Sequence, residues 1–307
     1  MGGVEPFDIN NYLTIVALED GLTAALSGNT VEYCVDGDGN WKSLVSNTNS
    51  ESINKGQTLS FRGNLTPASN KGVGRFRISK SCDLTGNCNS LLFGDDAKTN
   101  LSLSGKDYAF CNLFLECSTI KNVSTNFLPA TTLASSCYYY MFYRCTSLTT
   151  APELPATKAT TWCYYYMFYG CTSLTTAPEL PATTLASSCY YFMFRNCSSL
   201  TTAPSILPAT TLASYCYSYM FHGCTSLTTA PELPAKTLSD YCYSSMFYGC
   251  SKLNYIKAMF TTTPSSTYTS NWVSSVASSG TFVKNKNATW NVTGTSGIPS
   301  GWTVQTA

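Results

Sequence analysis

The chain has 307 residues, only 11% of them charged, and 18 basic side chains against 17 acidic ones give a net charge of +1. Its lysines and arginines are scattered rather than gathered into the basic stripe a nucleic-acid binder needs. No apolar run reaches the roughly 18–20 residues that span a bilayer, so neither nucleic acid nor membrane insertion is expected. At this length the chain can form one elongated domain or two compact ones.

The first residues, Met1-Gly-Gly-Val-Glu-Pro-Phe-Asp8, have neither the basic nor the apolar segment of a secretory signal. They also miss the N-myristoylation pattern, because Pro6 stands where Ser or Thr is required. From about residue 12 to 90 the chain reads as a separate all-β unit. Segments 12–18, 30–35, 57–62 and 74–79 are β-branched or aromatic, largely alternating, and bounded by turn residues. Asp36-Gly-Asp-Gly-Asn40 supplies hairpin-turn chemistry. It also resembles a calcium loop, but lacks the acidic last ligand and flanking helices. Asn64 to Gly72 is a second polar turn. Several short strands at this spacing predict a small β-sandwich over residues 1–90.

From Cys137 to about Ala258 one motif recurs. Met141, Met167, Met193, Met220 and Met246 mark equivalent places, 26, 26, 27 and 26 residues apart. The extra residue lies at Ser205-Ile-Leu-Pro208, where other copies read Glu-Leu-Pro. Such regularity predicts a stacked solenoid. Residues 91–130 enter it through degenerate copies, Asn112 to Ile120 and a weaker one at Leu91-Leu-Phe93, as terminal repeats require. After the Thr261-Thr-Thr-Pro break, a short amphipathic helix is expected at Asn271-Trp-Val-Ser-Ser-Val-Ala277. Closing strands follow at Gly280-Thr-Phe-Val-Lys284 and Gly301-Trp-Thr-Val304, so that residues 261–307 cap the array.

Ten of the fifteen cysteines form two ladders locked to this repeat: Cys137, Cys163, Cys189, Cys216 and Cys242, and Cys145, Cys171, Cys197, Cys224 and Cys250. Free cysteine behaves as a small, readily buried hydrophobe, so rows of buried thiols are the simpler reading. Disulfides within each C-x7-C pair are the alternative. Zinc is not expected, since tetrahedral sites want close Cys/His clusters and His222 is the single histidine.

The copies can be compared with one another, because a stacking position must suit its neighbours on both sides. Both cysteines, the Tyr138 row, the Met-Phe pair and the Leu148 row are the same in all five copies, and are the expected core. Four rows vary. One runs Tyr143, Tyr169, Arg195, His222, Tyr248, and the next Arg144, Gly170, Asn196, Gly223, Gly249. The third is Ser136, Trp162, Ser188, Tyr215, Tyr241, and the fourth Tyr139, Tyr165, Tyr191, Ser218, Ser244. Variation suits outward positions, and Tyr, Trp, Arg and Ser are the side chains recognition surfaces favour. The bland alternatives are drift on a solvated face and, for Trp162, refilling of the volume left where Ala159 replaces leucine. The candidate contacts are therefore Tyr139, Tyr143, Arg144, Trp162, Tyr165, Tyr169, Tyr191, Arg195, Asn196, Tyr215, His222, Tyr241 and Tyr248. The Thr149-Thr150 pair and its equivalents suggest a second use, a flat threonine array of the ice-binding kind, or a plain spacer; ordinary β-propensity also explains them. Each coil carries a single acid (Glu153, Glu179, Glu232), which does not make an acid–base pair, and no phosphate loop appears, so no enzyme and no cofactor are expected.

The unit Met-Phe-x-x-Cys-x-x-Leu-x-x-Ala-x-x-Leu-Pro resembles the BspA-like, treponemal-type leucine-rich repeat of bacterial surface antigens. Met141-Phe142 stands for that family's Ala-Phe, Cys145 and Leu148 match directly, Leu154-Pro155 stands for Ile-Pro, and Cys163 for an inward Ile. The likeness covers about residues 111–260. It departs in the longer unit and in Pro152, Pro178, Pro204 and Pro231, which cannot donate to a sheet ladder and shorten the strand to Ser147-Leu-Thr-Thr150. With the segments read above, the expected architecture is mostly β (α+β): a small N-terminal β-sandwich over 1–90, a solenoid of 26-residue repeats over 91–260 that the resemblance makes a leucine-rich-repeat one, and a C-terminal cap. The resemblance further implies adhesion to a host-cell or bacterial-surface protein or polysaccharide, from an extracellular, cell-surface or virion location. If Met1 is the native start, assembly into a virion tail or fibre is favoured; if the chain was trimmed, the bacterial surface is.

Overall fold

The computed structural model describes residues 7–307; Met1 to Pro6, weighed above for export and lipidation, lie outside them. Strands β1 (Leu13–Ala17), β2 (Ala24–Ser27), β3 (Val31–Val35), β4 (Lys42–Leu44), β5 (Thr58–Arg62), β6 (Arg75–Ile78) and β7 (Cys82–Thr85) build the N-terminal unit. The 36–40 turn does join an antiparallel pair, β3 with β4. A sheet in the order β4-β3-β5-β1-β7 faces the two-stranded pair β2-β6. Phe61 of β5 meets Phe76 of β6 edge to face with ring centres 5.0 Å apart, which closes the sandwich. β2 and β7 are strands that alternation alone misses, the first being too small-residued and the second too short.

The sandwich is not separated from the solenoid. β7 pairs in parallel with β8 (Ile120–Val123), which belongs to the first coil. Asn122 of β8 bridges to Thr150, Thr150 to Thr176, and Thr176 to Thr202. One continuous cluster of buried apolar side chains runs from Leu13 to Trp302, across both expected boundaries, 90/91 and 260/261. Leu91-Leu92-Phe93 is not a coil copy: it lies in a helical turn, α1 (Ser90–Phe93).

Each coil spends few residues on strand. A ladder bridge at Thr150 or its equivalent, and a two-residue parallel pair, β9 (Lys158–Ala159) with β10 (Thr184–Leu185), are typical. The prolines explain this, since they remove donors just past Thr150. The rest of the coil is a string of overlapping turns. The N–H groups of Tyr139, Met141, Tyr143 and Cys145 close turns onto carbonyls three residues back. The alternate N–H groups, of Ser136, Tyr138, Tyr140, Phe142 and Arg144, donate to Thr161, Cys163, Tyr165, Met167 and Tyr169 of the next coil. These donors are thus paired without helix or sheet, as buried backbone must be.

The tail continues the array. Tyr243 N donates to Tyr268 O and Phe247 N to Trp272 O, as Tyr217 N does to Cys242 O and Phe221 N to Met246 O one coil earlier. Tyr268 and Trp272 therefore occupy a cysteine and a methionine rung. The helix expected over 271–277 is absent; the segment repeats the turn string. Strands β11 (Tyr255–Ala258), β12 (Thr281–Lys284) and β13 (Thr303–Thr306) pair in parallel, so the two closing strands are further rungs of the solenoid sheet.

All fifteen cysteines are free and buried, and no disulfide links the C-x7-C pairs. In the second ladder the thiol donates to a phenylalanine carbonyl of the preceding coil: Cys145 to Phe114 at 3.2 Å, Cys171 to Phe142 at 3.2 Å, and so on to Cys250 and Phe221 at 3.0 Å. The expected core rows are all sealed: Tyr138, Met141, Phe142, Leu148 and their equivalents are at most 1% exposed. The phenylalanine row stacks from Phe114 to Phe247 with centres 5.5–5.8 Å apart.

Candidate functional site: a tyrosine-rich turn face

The turn string sets which side chains leave the core. From Ser136 every fourth residue adopts a left-handed backbone: Ser136, Tyr140 and Arg144 have φ of 54°, 56° and 54°, and every later clear coil repeats the trio. Two residues then point in and two point out. Cys137-Tyr138 go in, Tyr139-Tyr140 out, Met141-Phe142 in, Tyr143-Arg144 out, Cys145 in. Stacked coils turn each outward place into a ladder, and four such ladders lie side by side.

The Tyr139 ladder stacks Tyr139 on Tyr165 at 4.8 Å and Tyr165 on Tyr191 at 5.2 Å, then ends at Ser218 and Ser244, both buried. Beside it runs a ladder that comparison of the copies did not single out: Tyr140, Tyr166, Phe192 and Tyr219, at centre distances of 4.8, 4.5 and 4.6 Å. Its signal was available in the in-in-out-out spacing of Cys-Tyr-Tyr-Tyr-Met-Phe-Tyr-Gly-Cys. The two ladders interlock edge to face, with Tyr139 and Tyr140 centres 4.5 Å apart.

The third ladder changes character along the array. Tyr143 stacks on Tyr169 at 4.9 Å, and His222 on Tyr248 at 4.7 Å. Between them Arg195 lies over Phe192 at 5.0 Å, Tyr219 at 5.7 Å and Tyr169 at 5.9 Å, within the range of cation–π attraction. Burial first, and Arg195 second, press the His222 pKa from 6.5 down to about 4. Burial also raises the phenols; Tyr191 reaches about 12. The face is therefore neutral apart from Arg195 and Arg144, and Glu116 stands 3.9 Å from Arg144.

The fourth ladder, Ser136, Trp162, Ser188, Tyr215, Tyr241, is the most exposed, with Trp162 at 43% and Tyr215 at 37%. Tyr215 and Tyr241 stack at 4.8 Å. Arg144, Asn196 and Tyr248 are exposed too, whereas Tyr139, Tyr143, Tyr165, Tyr169, Tyr191, Arg195 and His222 are half-buried in the stacks. The Arg144, Gly170, Asn196, Gly223, Gly249 row has a backbone cause for its composition. Each member sits at positive φ, 54–76°, where glycine and asparagine are favoured; glycine there reports the turn, not a ligand. Asn196 also donates to the Tyr169 hydroxyl at 3.3 Å.

Two other features lie apart from this face. The Thr149 and Thr150 hydroxyls both bind Asn122 Oδ1, at 2.7 and 3.0 Å, and Thr201 Oγ1 binds Thr175 O at 3.1 Å. These hydroxyls are turned into the ladder and away from a free flat array. A cleft of about 350 Å³ opens between the sandwich and the first coil, lined in part by Asn29, Asn70, Lys71, Arg75 and Asn112. Among the described residues no group of three or more His, Cys, Asp and Glu side chains is placed to hold a metal ion. No helix among them is long and apolar enough to cross a membrane.

A coil of this build, about 26 residues long, joined to its neighbours by short parallel bridges and sealed by Cys, Phe and Leu rows, defines a leucine-rich-repeat solenoid. The BspA type leucine rich repeat family model matches six copies, over residues 104–219 and 135–272. The chain belongs to that family, whose repeats are typical of surface or protein-binding modules. Comparison with curated proteins and with solved structures returns no match.

Proposed function

We propose that this protein is a surface-exposed adhesion module that recognises a protein or polysaccharide, on a host cell or a bacterium, through its tyrosine-rich turn face. The observation that carries the reading is the four aromatic ladders lying side by side, with Arg195 set among them. Stacked coils hold these rings rigidly, so little side-chain entropy is lost on contact, and Tyr, Trp and Arg are the residues that dominate binding energy. Enzymatic activity forms no part of the proposal: the one histidine is held neutral above about pH 4 and stacks between tyrosines. Display on a bacterial surface or on a phage tail suits the same face equally.

The test is binding of the labelled chain to intact bacterial and mammalian cells, against a triple variant, Tyr139→Ser, Tyr165→Ser and Tyr191→Ser. Ser218 and Ser244 already fill this row in later coils, so the variant is compatible with the fold. At least about tenfold weaker binding, by a variant that loses some stability with its stacks but still melts well above the assay temperature, supports the face, each lost hot spot being worth ~1.4 kcal/mol or more. Unchanged binding overturns it.

A further inference from the structure

The outermost ladder lacks a rung. Its order is Tyr108, Ser136, Trp162, Ser188, Tyr215, Tyr241, all in left-handed backbone with φ between 54° and 59°. Where neighbouring coils both carry a ring the rings meet: Tyr215 and Tyr241 stack at 4.8 Å and 12°. The two serines therefore mark places where one ring is missing, but they differ. Ser136, in the rung between Tyr108 and Trp162, is 0% exposed. Ser188, in the rung between Trp162 and Tyr215, is only half-buried, and both flanking rings are among the most exposed large side chains of the molecule.

Two coil steps at the ordinary strand spacing put the Trp162 and Tyr215 rungs roughly 9.6 Å apart. A ring lying midway would be about 4.8 Å from each, inside the 4.5–7 Å range for ring stacking. Tyr191 stands at the side of this gap, its ring edge-on to Tyr215 with centres 6.0 Å apart. One residue before the Trp162, Ser188 and Tyr215 rungs comes a hydroxyl, Thr161, Ser187 and Ser214; the two end rungs, Tyr108 and Tyr241, follow Asp107 and Asp240 instead. Ser187 is exposed and bonds Ser214 O at 3.1 Å.

We propose that the Ser188 gap is a subsite for one pyranose ring of a neutral glycan, held between Trp162 and Tyr215. A pyranose offers C–H faces to both walls and hydroxyls at its edge to the Thr161, Ser187 and Ser214 row. The oxygens of that row can still accept, although Ser187 already donates to Ser214 O and the Ser214 hydroxyl pairs with that of Ser239 at 3.1 Å. An apolar protein side chain would use the walls alone. Neither the walls nor this hydroxyl row carries a charge, which selects a neutral sugar over an acidic one. The proposal rests on the turn face being the binding face.

Among the five tryptophans Trp162 alone is exposed; Trp272, Trp290 and Trp302 are buried and Trp41 lies under Arg62. Its emission is the natural reporter. Cellohexaose, xylohexaose, mannohexaose and chitohexaose are titrated against the full chain, with calorimetry alongside fluorescence. At least one hexaose is expected to shift tryptophan emission saturably. Ser188→Tyr fills the rung with the residue that Tyr215 and Tyr241 show the position accepts, so it should keep or raise thermal stability while weakening that hexaose at least tenfold. Trp162→Ser should weaken it comparably and abolish the emission change. Equal hexaose binding by Ser188→Tyr and the parent overturns the subsite, as does binding of none of the four. In either case, if the triple tyrosine variant still loses cell binding, the face survives with a different occupant. If that variant binds cells as the parent does, the face itself has failed.

Discussion

Tyr166 and Phe192, in adjacent coils, stack with ring centres 4.5 Å apart and planes 16° from parallel, although both occupy left-handed backbone with φ of 55° and 59°. The ladder contact and the backbone conformation pull against each other: a non-glycine residue there costs about 1–2 kcal/mol. Stacking between neighbouring aromatics returns about 0.5–1.5 kcal/mol beyond area burial. The outward ladders are thus held by mutual contact between coils, at places where the chain alone would choose glycine or asparagine.

This opposition reverses a familiar order of substitutions. Tyr166→Ala and Tyr166→Gly both remove the ring, but only glycine relieves the backbone. Glycine's extra unfolded-state entropy, roughly 0.5–1 kcal/mol, is smaller than the left-handed penalty or equal to it. Tyr166→Gly is expected to show a urea midpoint at or above that of Tyr166→Ala, both below the parent. An alanine variant clearly more stable than glycine would remove the strain argument.

The buried thiols give two measurements. In denaturant all fifteen should react with a thiol reagent; in the native state at pH 8 reaction should be slow and limited by unfolding, because every cysteine is buried and free. Five titratable thiols, the number left if each of the five C-x7-C pairs were bridged, would restore the disulfide alternative.

Burial lifts the Cys137, Cys145 and Cys171 thiols well above their ordinary 9.0, and the Tyr138 and Tyr164 phenols well above 10.0. A group with a raised folded-state pKa gives its full stability below the unfolded value and loses it as pH climbs towards the folded one. Each such group lowers stability by ~1.4 kcal/mol per pH unit within that window. With two ladders acting together, the melting temperature should be nearly flat from pH 7 to about 8.5 and fall steeply above pH 9. A melting temperature that stays flat to pH 11 would mean the ladders are not desolvated.

The inward half of each coil could be read from the residues because burial demands sameness: the Cys, Tyr138, Met-Phe and Leu148 rows are invariant among the copies, and all are sealed. The outward half was legible only in part. Gly170, Gly223 and Gly249 look like drift in a variable row, yet they answer to positive φ, which leaves no trace in hydrophobic periodicity. The Tyr140 and Phe192 row is hidden in the sequence because a helix or strand period gives no reason for two neighbours to face out together. The tail misled for the same reason. Trp272 and Val273 at amphipathic spacing suggest a helix, whereas they continue the turn string after the cysteines and Met-Phe pair have been lost.

Trp272 takes the methionine rung of the coil that follows Cys250, is 0% exposed, and donates Nε1–H to Gly297 O at 2.8 Å. Its ring lies 5.9 Å from Tyr243 and 6.2 Å from Phe260, so it joins the last clear repeat to the closing strands. Trp272→Ala should cost roughly 3–5 kcal/mol. Trp272→Met, the residue of the equivalent rung, should cost less but leave Gly297 O without that donor. Hydrogen exchange should show the loss concentrated in β12 and β13, since repeat arrays transmit stability mainly to neighbours. Uniform loss back to β1 would show that the continuous core melts as one unit.

His222 offers a local readout of the face, and as the only histidine its imidazole signals need no assignment. It stacks on Tyr248 and lies 5.7 Å from Tyr219; Arg195 supplies the positive charge that opposes its protonation. The folded pKa, about 4, lies below the ordinary 6.5, so this side chain favours folding most above pH 6.5, and the contribution declines as pH falls towards 4. An NMR titration should find the ring neutral at pH 6 with a midpoint well below 5.5. Arg195→Gln should raise that midpoint only part of the way to 6.5, because burial between the tyrosines is the larger cause and remains. A midpoint near 6.5 in the parent would place His222 in open solvent and undo the stacked third ladder. A full return to 6.5 in Arg195→Gln would instead assign the whole shift to the arginine charge, and with it make Arg195, not the stack, the controlling feature of this part of the face.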